Sequence, residues 1–160
     1  MNSTRLNGSR LAGFTGKPSK ATPSSLKATL ITLLKAEPTL SDLVAARIYP
    51  SHPARGAALP SITVSFASDS RAKTLIGHTD QRLARALFTA RASTDLTAEA
   101  IAKALDAFLP TLQRTTHGAI EIVTVLQQPE TEDYAAPNDG TDTGPRIRIV
   151  DYRFDYRYRA

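Results

Sequence analysis

The stretch that most constrains the fold is the C-terminal run from Arg146 to Arg159. From Val150 onward every second residue is apolar or aromatic (Val150, Tyr152, Phe154, Tyr156, Tyr158), and every residue between is charged (Asp151, Arg153, Asp155, Arg157, Arg159). A half-buried strand requires this period of two. Ile147 and Ile149 alternate in the opposite phase, so a continuous strand from Arg146 predicts a β-bulge near Ile149-Val150 that keeps the apolar side inward. Three of the five tyrosines and one of the five phenylalanines lie here in a chain without tryptophan, so this strand is expected to supply much of the aromatic core. Alternation also puts the aromatic and charged side chains on opposite faces. The mixture of arginine and tyrosine therefore does not form one nucleic-acid stacking surface.

At 160 residues and 41% hydrophobic composition, the chain is of single-domain size and can bury an ordinary core. It has no cysteine, which excludes disulfides, thiolate zinc sites and a cysteine nucleophile and points to a reducing compartment. No apolar run approaches the roughly 18 residues that span a bilayer, and the N-terminus lacks a signal-peptide core; the expectation is a soluble chain outside the usual export route. The net charge of +5 is unevenly spread: residues 1–25 hold Arg5, Arg10, Lys17 and Lys20 with no acid, leaving 16 basic against 15 acidic residues. This disfavours a basic DNA-reading domain, but a basic arm on a neutral body remains open.

Residues 1–25 have too few apolar positions for a core and read as a flexible arm, either a plain tail or one that orders on a partner through Leu6, Leu11 and Phe14. After the cap at Pro23-Ser24-Ser25, Leu26, Leu30, Leu33 and Leu34 form one face of a helix that Glu37-Pro38 ends. A short helical turn around Leu40, Leu43 and Val44 leads into Arg47-Ile48-Tyr49-Pro50 and a loop marked by Pro53, Gly56 and Pro60. Ser61 to Ala67 alternates as a strand, and residues 68–80 read as a polar loop into a second extended stretch, Gln81 to Ala92. A second long helix is predicted from Leu96, Ala100, Ile101, Ala104, Leu105, Phe108 and Leu109, capped at Thr94, Asp95 or Thr97 and stopped by Pro110. Ala119 to Leu126 follows as a strand with apolar residues on both faces (Ile120, Ile122; Val123, Val125), which predicts a central, covered position. Residues 127–145 carry Glu130, Glu132, Asp133, Asp139 and Asp142 without a base, a long loop for a compact domain. The expected fold is α+β, in the order α-β-β-α-β-β: a four-stranded, mainly antiparallel sheet with both helices on one face. The expected domains are an arm over 1–25 and one domain over 26–160.

His52, His78 and His117 lack ligand spacing, and neither a G-x-S-x-G elbow nor a P-loop occurs. Asn138-Asp139-Gly140-Thr141-Asp142 lacks the closing glutamate of a calcium loop. No metal, cofactor or catalytic residue is assigned. Arg71, Lys73 and His78 make a modest basic tip on the 68–80 loop.

A leading helix, Arg47-Ile48-Tyr49-Pro50, the proline-started Pro60-Ser61-Ile62-Thr63-Val64, a glycine-containing hairpin loop, the alanine-rich helix ending Ala104-Leu105-Asp106, and the closing Tyr152-Arg153-Phe154 occur in that order. Over residues 26–159 this resembles the tail completion or tail terminator proteins of long-tailed bacteriophages. The resemblance implies a non-enzymatic virion protein of the tail or neck, assembled in the host cytoplasm without cofactor or membrane. Such proteins form a hexameric ring that caps the tail tube and joins it to the head connector or stopper, with packaged DNA passing through non-specifically. A ring needs complementary charge on two separate patches of one chain. Glu130, Glu132 and Asp133, against Arg71, Lys73 or the outward Arg153, Arg157 and Arg159 of a neighbouring subunit or stacked ring, are the expected contacts between copies. Arg71, Lys73 and His78 are expected to face the lumen or tube, and Arg5, Arg10, Phe14, Lys17 and Lys20 to form a docking arm. The alternatives are a nucleic-acid-binding α+β domain using the basic arm, marked by steep salt dependence, and a small-molecule enzyme, marked by a deep pocket of convergent titratable groups.

Overall fold

The computed structural model describes residues 25–53, 55–129 and 144–159, with the side chain of His78 outside the description. Helix α1 (Leu26–Ala36) starts where the Ser25 side chain accepts the Ala28 N–H at 3.2 Å, and it buries Leu26, Thr29, Leu30 and Leu34. Pro38 opens α2 (Pro38–Val44) at the first-turn position that a missing N–H allows, and Leu40 and Val44 are its buried residues. Left-handed Ala45 and Ala46 then turn the chain into β1 (Ile48–Pro50).

Strands β2 (Ser61–Thr74) and β3 (Gly77–Ala92) form a long hairpin. Helix α3 (Asp95–Phe108) begins at Thr94, whose hydroxyl accepts the Thr97 N–H at 3.2 Å, and it buries Ala98, Ile101, Ala102 and Leu105. Leu96, expected on its buried face, is 79% exposed because at 100° per residue it points away from the buried Ala98, Ile101, Ala102 and Leu105. A short 3-10 turn over Leu109–Leu112 precedes β4 (Thr115–His117), β5 (Ile120–Gln127) and β6 (Arg146–Tyr158).

The six-stranded sheet has the order β1-β2-β3-β6-β5-β4. Its four long strands are antiparallel and match the four expected, but the fold has two strands more: β1 runs parallel to β2, and β4 pairs with β5. At three residues each, these edge strands are too short for alternation to reveal them. The order is accordingly α-α-β-β-β-α-β-β-β, with α2 a helix in its own right.

β6 has no bulge against β3: their register runs unbroken from Gln81↔Arg157 to Ala92↔Arg146. Val150, Tyr152, Phe154 and Tyr156 are buried in the core shared with the helices, while Ile147 and Ile149 fall on the other face and are half-buried there. That face is partly covered near its end, where His52, Pro53 and Leu59 line a cavity with Ser61, Arg91 and Pro145, so apolar side chains have a place on either side. Against its other neighbour, β6 meets a bulge that lies in β5, between Ile122 and Thr124. It reconciles the two apolar phases of that strand, since Ile120, Ile122 and Val125 are all buried on the core side. β5 is not central: beyond Ile122 only β6 pairs with it among the described residues.

The core centres on Phe88, Tyr152 and Phe154, with Phe88 edge-on to both partners at centroid distances of 6.5 and 6.3 Å. The Tyr152 hydroxyl donates to Asp106 Oδ1 on α3 at 2.8 Å, giving the buried ring its polar partner.

Candidate assembly interface

The residues expected to form a polar loop at 68–80 are mostly strand. β2 and β3 run past the end of β6, whose pairing with β3 stops at Gln81↔Arg157, and beyond that point, among the described residues, they pair only with each other, through Lys73↔His78 and Thr74↔Gly77. The result is a projecting two-stranded ribbon. Its turn is Leu75-Ile76, closed by Thr74 Oγ1 donating to the Gly77 carbonyl at 3.1 Å, with Gly77 at φ +140°, where other residues are strained. Leu75 and Ile76 are 107% and 99% exposed. Two adjacent aliphatic side chains held wholly in water gain nothing for the isolated fold, and that placement is characteristic of a contact site.

The root of the ribbon is tied to β6. The Tyr156 hydroxyl donates to the Asp69 carboxylate, 2.9 Å from either oxygen, and Arg82 Nε reaches Asp69 Oδ1 at 3.1 Å. The Arg82 guanidinium lies 6.0 Å from the ring centroids of both Tyr156 and Tyr158. Burial, and then the Asp69 hydrogen bond, push the Tyr156 hydroxyl far above its usual pKa.

Both edges of the sheet are open at the same height. β1 covers β2 only over Ile62–Val64, and β4 covers β5 only over Ile120–Ile122; among the described residues no other strand pairs with either outer edge. Cross-strand rows join the open portions: Phe66–Ala86–Tyr152–Gln127, and Asp69–Ala84–Phe154–Val125. The β2 edge also carries register shifts at Phe66/Ser68 and Arg71/Lys73. With its alternating charges, these guard against indiscriminate pairing.

The expected charged contacts distribute as follows. Arg157 clamps Glu121 through two donors at 2.8 and 3.1 Å, Arg159 adds a third at 2.8 Å, and Arg153 lies 3.3 Å from Asp155. The Arg157 hydrogen bond is the main reason the Glu121 carboxyl is held below its usual pKa. Arg85, missed by sequence reasoning, donates from Nε to the buried Asp151 at 2.8 Å. Arg71 and Lys73 are exposed on the ribbon. Glu130, Glu132 and Asp133, and the arm residues Arg5, Arg10, Phe14, Lys17 and Lys20, lie outside the described residues. His52 is exposed, while His117 Nε2 is 2.8 Å from Thr115 Oγ1. No group of three metal-ligating side chains occurs among the described residues, and no helix among them is long and apolar enough to cross a membrane.

The tip Leu75-Ile76 was missed although it had a signal: two branched aliphatics beside a glycine in an otherwise polar run. The open edges had none, because edge position depends on strand order.

The profile of the family described as Tail completion protein gp17 matches residues 28–151. No curated protein matches the chain. A chain from the solved virion of a native gene transfer agent particle shares the fold, with a TM-score of 0.60 at 19% identity; the match covers 87% of this chain and 99% of that one.

Proposed function

We propose that this chain, which belongs to the tail completion protein gp17 family and is a structural protein of the virion tail or neck, forms a hexameric ring that ends the tail tube. The ring joins the tube to the head connector or stopper, lets DNA pass through its lumen, and carries out no chemistry of its own. The observation that carries this reading is the pair of open sheet edges at one height, β2 from Ser65 onward and β5 from Val123 onward. The two edges differ, so the β2 edge of one copy meets the β5 edge of the next, a heterologous contact that closes into a ring when its rotation allows. Leu75 and Ile76 reach beyond the sheet and supply the apolar anchor for the neighbouring copy or for the tube, with Arg71 and Lys73 beside them facing tube or lumen.

The alternative of a nucleic-acid-binding domain depends on the basic arm. The last strand lends it little, because Arg153, Arg157 and Arg159 each have a carboxylate partner. Electron microscopy of the purified protein, alone and mixed with tail tubes, tests the ring. Rings alone or at tube ends are expected. Monomers with bare tube ends, together with steeply salt-dependent DNA binding, would move the assignment to the alternative.

A further inference from the structure

At the base of the hairpin, Ser61 and Arg91 are direct cross-strand partners on the sheet face away from the helices. Both line a cavity of about 540 Å³, with His52, Arg55, Leu59 and Pro145 around it and no acidic side chain among the described lining residues. Ser61 is 1% exposed and its Oγ has no hydrogen-bond partner among the described residues; the buried Nε of Arg91 has none among them either. Two buried donors on residues that line one cavity, one of them cationic, are costly unless an acceptor completes them, and a negatively charged one suits the cation best. Arg55, exposed at the same cavity, forms no ion pair within the described residues. By contrast, Arg82, Arg85, Arg146, Arg153, Arg157 and Arg159 each have a carboxylate partner.

We infer that this cavity receives a carboxylate side chain from the acidic 127–145 segment of a second copy of the chain. That segment concentrates five acids with no base, so the positive charge at the cavity and the negative charge of the segment belong to one sequence. The inference rests on the edge-to-edge ring and gives it a second contact. β5 runs toward the Ser61 end of the sheet and leaves it at Gln127, on the edge opposite β1 and β2. When a β5 edge meets the β2 edge of the next copy, Gln127 stands in the row of Phe66, five residues along β2 from Ser61, so the chain after Pro129 has about 17 Å to cross to that copy's Arg91 cavity, a span its length allows. Arg91 can offer a planar fork and Ser61 a hydroxyl, a donor set suited to a carboxylate.

The test uses the full chain with Glu130, Glu132, Asp133, Asp139 and Asp142 neutralised to their amides, titrated with a synthetic peptide of residues 127–145. Saturable binding with amide shifts at Ser61 and Arg91 is expected, weakening about tenfold when Arg91→Gln is added and less for Ser61→Ala. Melting curves establish that each variant folds. Absence of binding, or binding indifferent to Arg91→Gln, overturns the inference. Mixing the neutralised chain with a full chain carrying only Arg91→Gln then separates the copies. Heterodimers are expected to form more tightly than either variant's own dimers, since one intact junction survives. Peptide capture without heterodimers would place the contact within one chain and overturn the inference. Wild-type rings that form equally well with Arg91→Gln would overturn it too, while leaving the ring reading standing; heterodimers without wild-type rings would do the reverse.

Discussion

Phe154 carries the strongest residue-scale consequence. It is fully buried, edge-on to Phe88 and beside Tyr152, in a sheet with no tryptophan to compensate. Phe154→Ala is expected to cost about 3–5 kcal/mol, because a ring-sized cavity in close-packed surroundings collapses only in part. An unchanged denaturation midpoint would contradict the packing. Glu121 gives a second consequence, through pH. Its folded pKa is depressed by Arg157 and then Arg159, so its stabilisation is present above the unfolded value of about 4.3 and is lost as pH falls through the lower folded value. Wild type is therefore expected to melt above Glu121→Gln at neutral pH, with the difference closing in strong acid. A difference independent of pH would show that the clamp does not act as ion pairs.

The hairpin ribbon is the element whose stability and use come apart. Its outer part pairs only with itself, and its tip side chains touch no core, so Leu75→Ser with Ile76→Ser is expected to change monomer stability by less than about 0.5 kcal/mol. The same double variant should lose ring formation or tube capping, scored by electron microscopy beside a melting curve. Rings of normal abundance would remove the tip from the interface. Sequence alternation was silent here for a physical reason: a ribbon exposed on both faces has no buried side to impose a period, so Ser68 to Asp80 looked like a loop. In β6 the burial of one face made the strand plain, yet the bulge inferred for it belongs to β5. Out-of-phase apolar residues signal either an extra residue or cover on the second face, and only neighbouring elements decide between them.

At the scale of the whole molecule, charge is organised by segment. The core formed by described residues extends from Leu26 to Tyr156, while the uncompensated positive charge lies in residues 1–25. Removing residues 1–24, which keeps the Ser25 cap of α1, is expected to leave the melting curve nearly unchanged and to weaken docking to tail or connector. Unfolding on deletion would make the arm a structural element. Ring assembly should also weaken as salt rises, since exposed pairs contribute only about 0–1 kcal/mol each and act together.

The sequence alone determined the parts whose signal is local. Leucines at helical spacing after Ser25, the capped alanine-rich helix after Thr94 and the alternation from Val150 to Tyr156 each arise because one face of one element must leave water. Local spacing was enough to read them. The tertiary structure decided what depends on partners distant in the chain: the edge strands β1 and β4, the length of the ribbon, and the destination of each arginine. Asp69 meets Tyr156 across 87 positions and Arg85 meets Asp151 across 66, and no local period encodes such a meeting. Strand order brings those residues together, and strand order is set by the packing of the whole sheet against its helices.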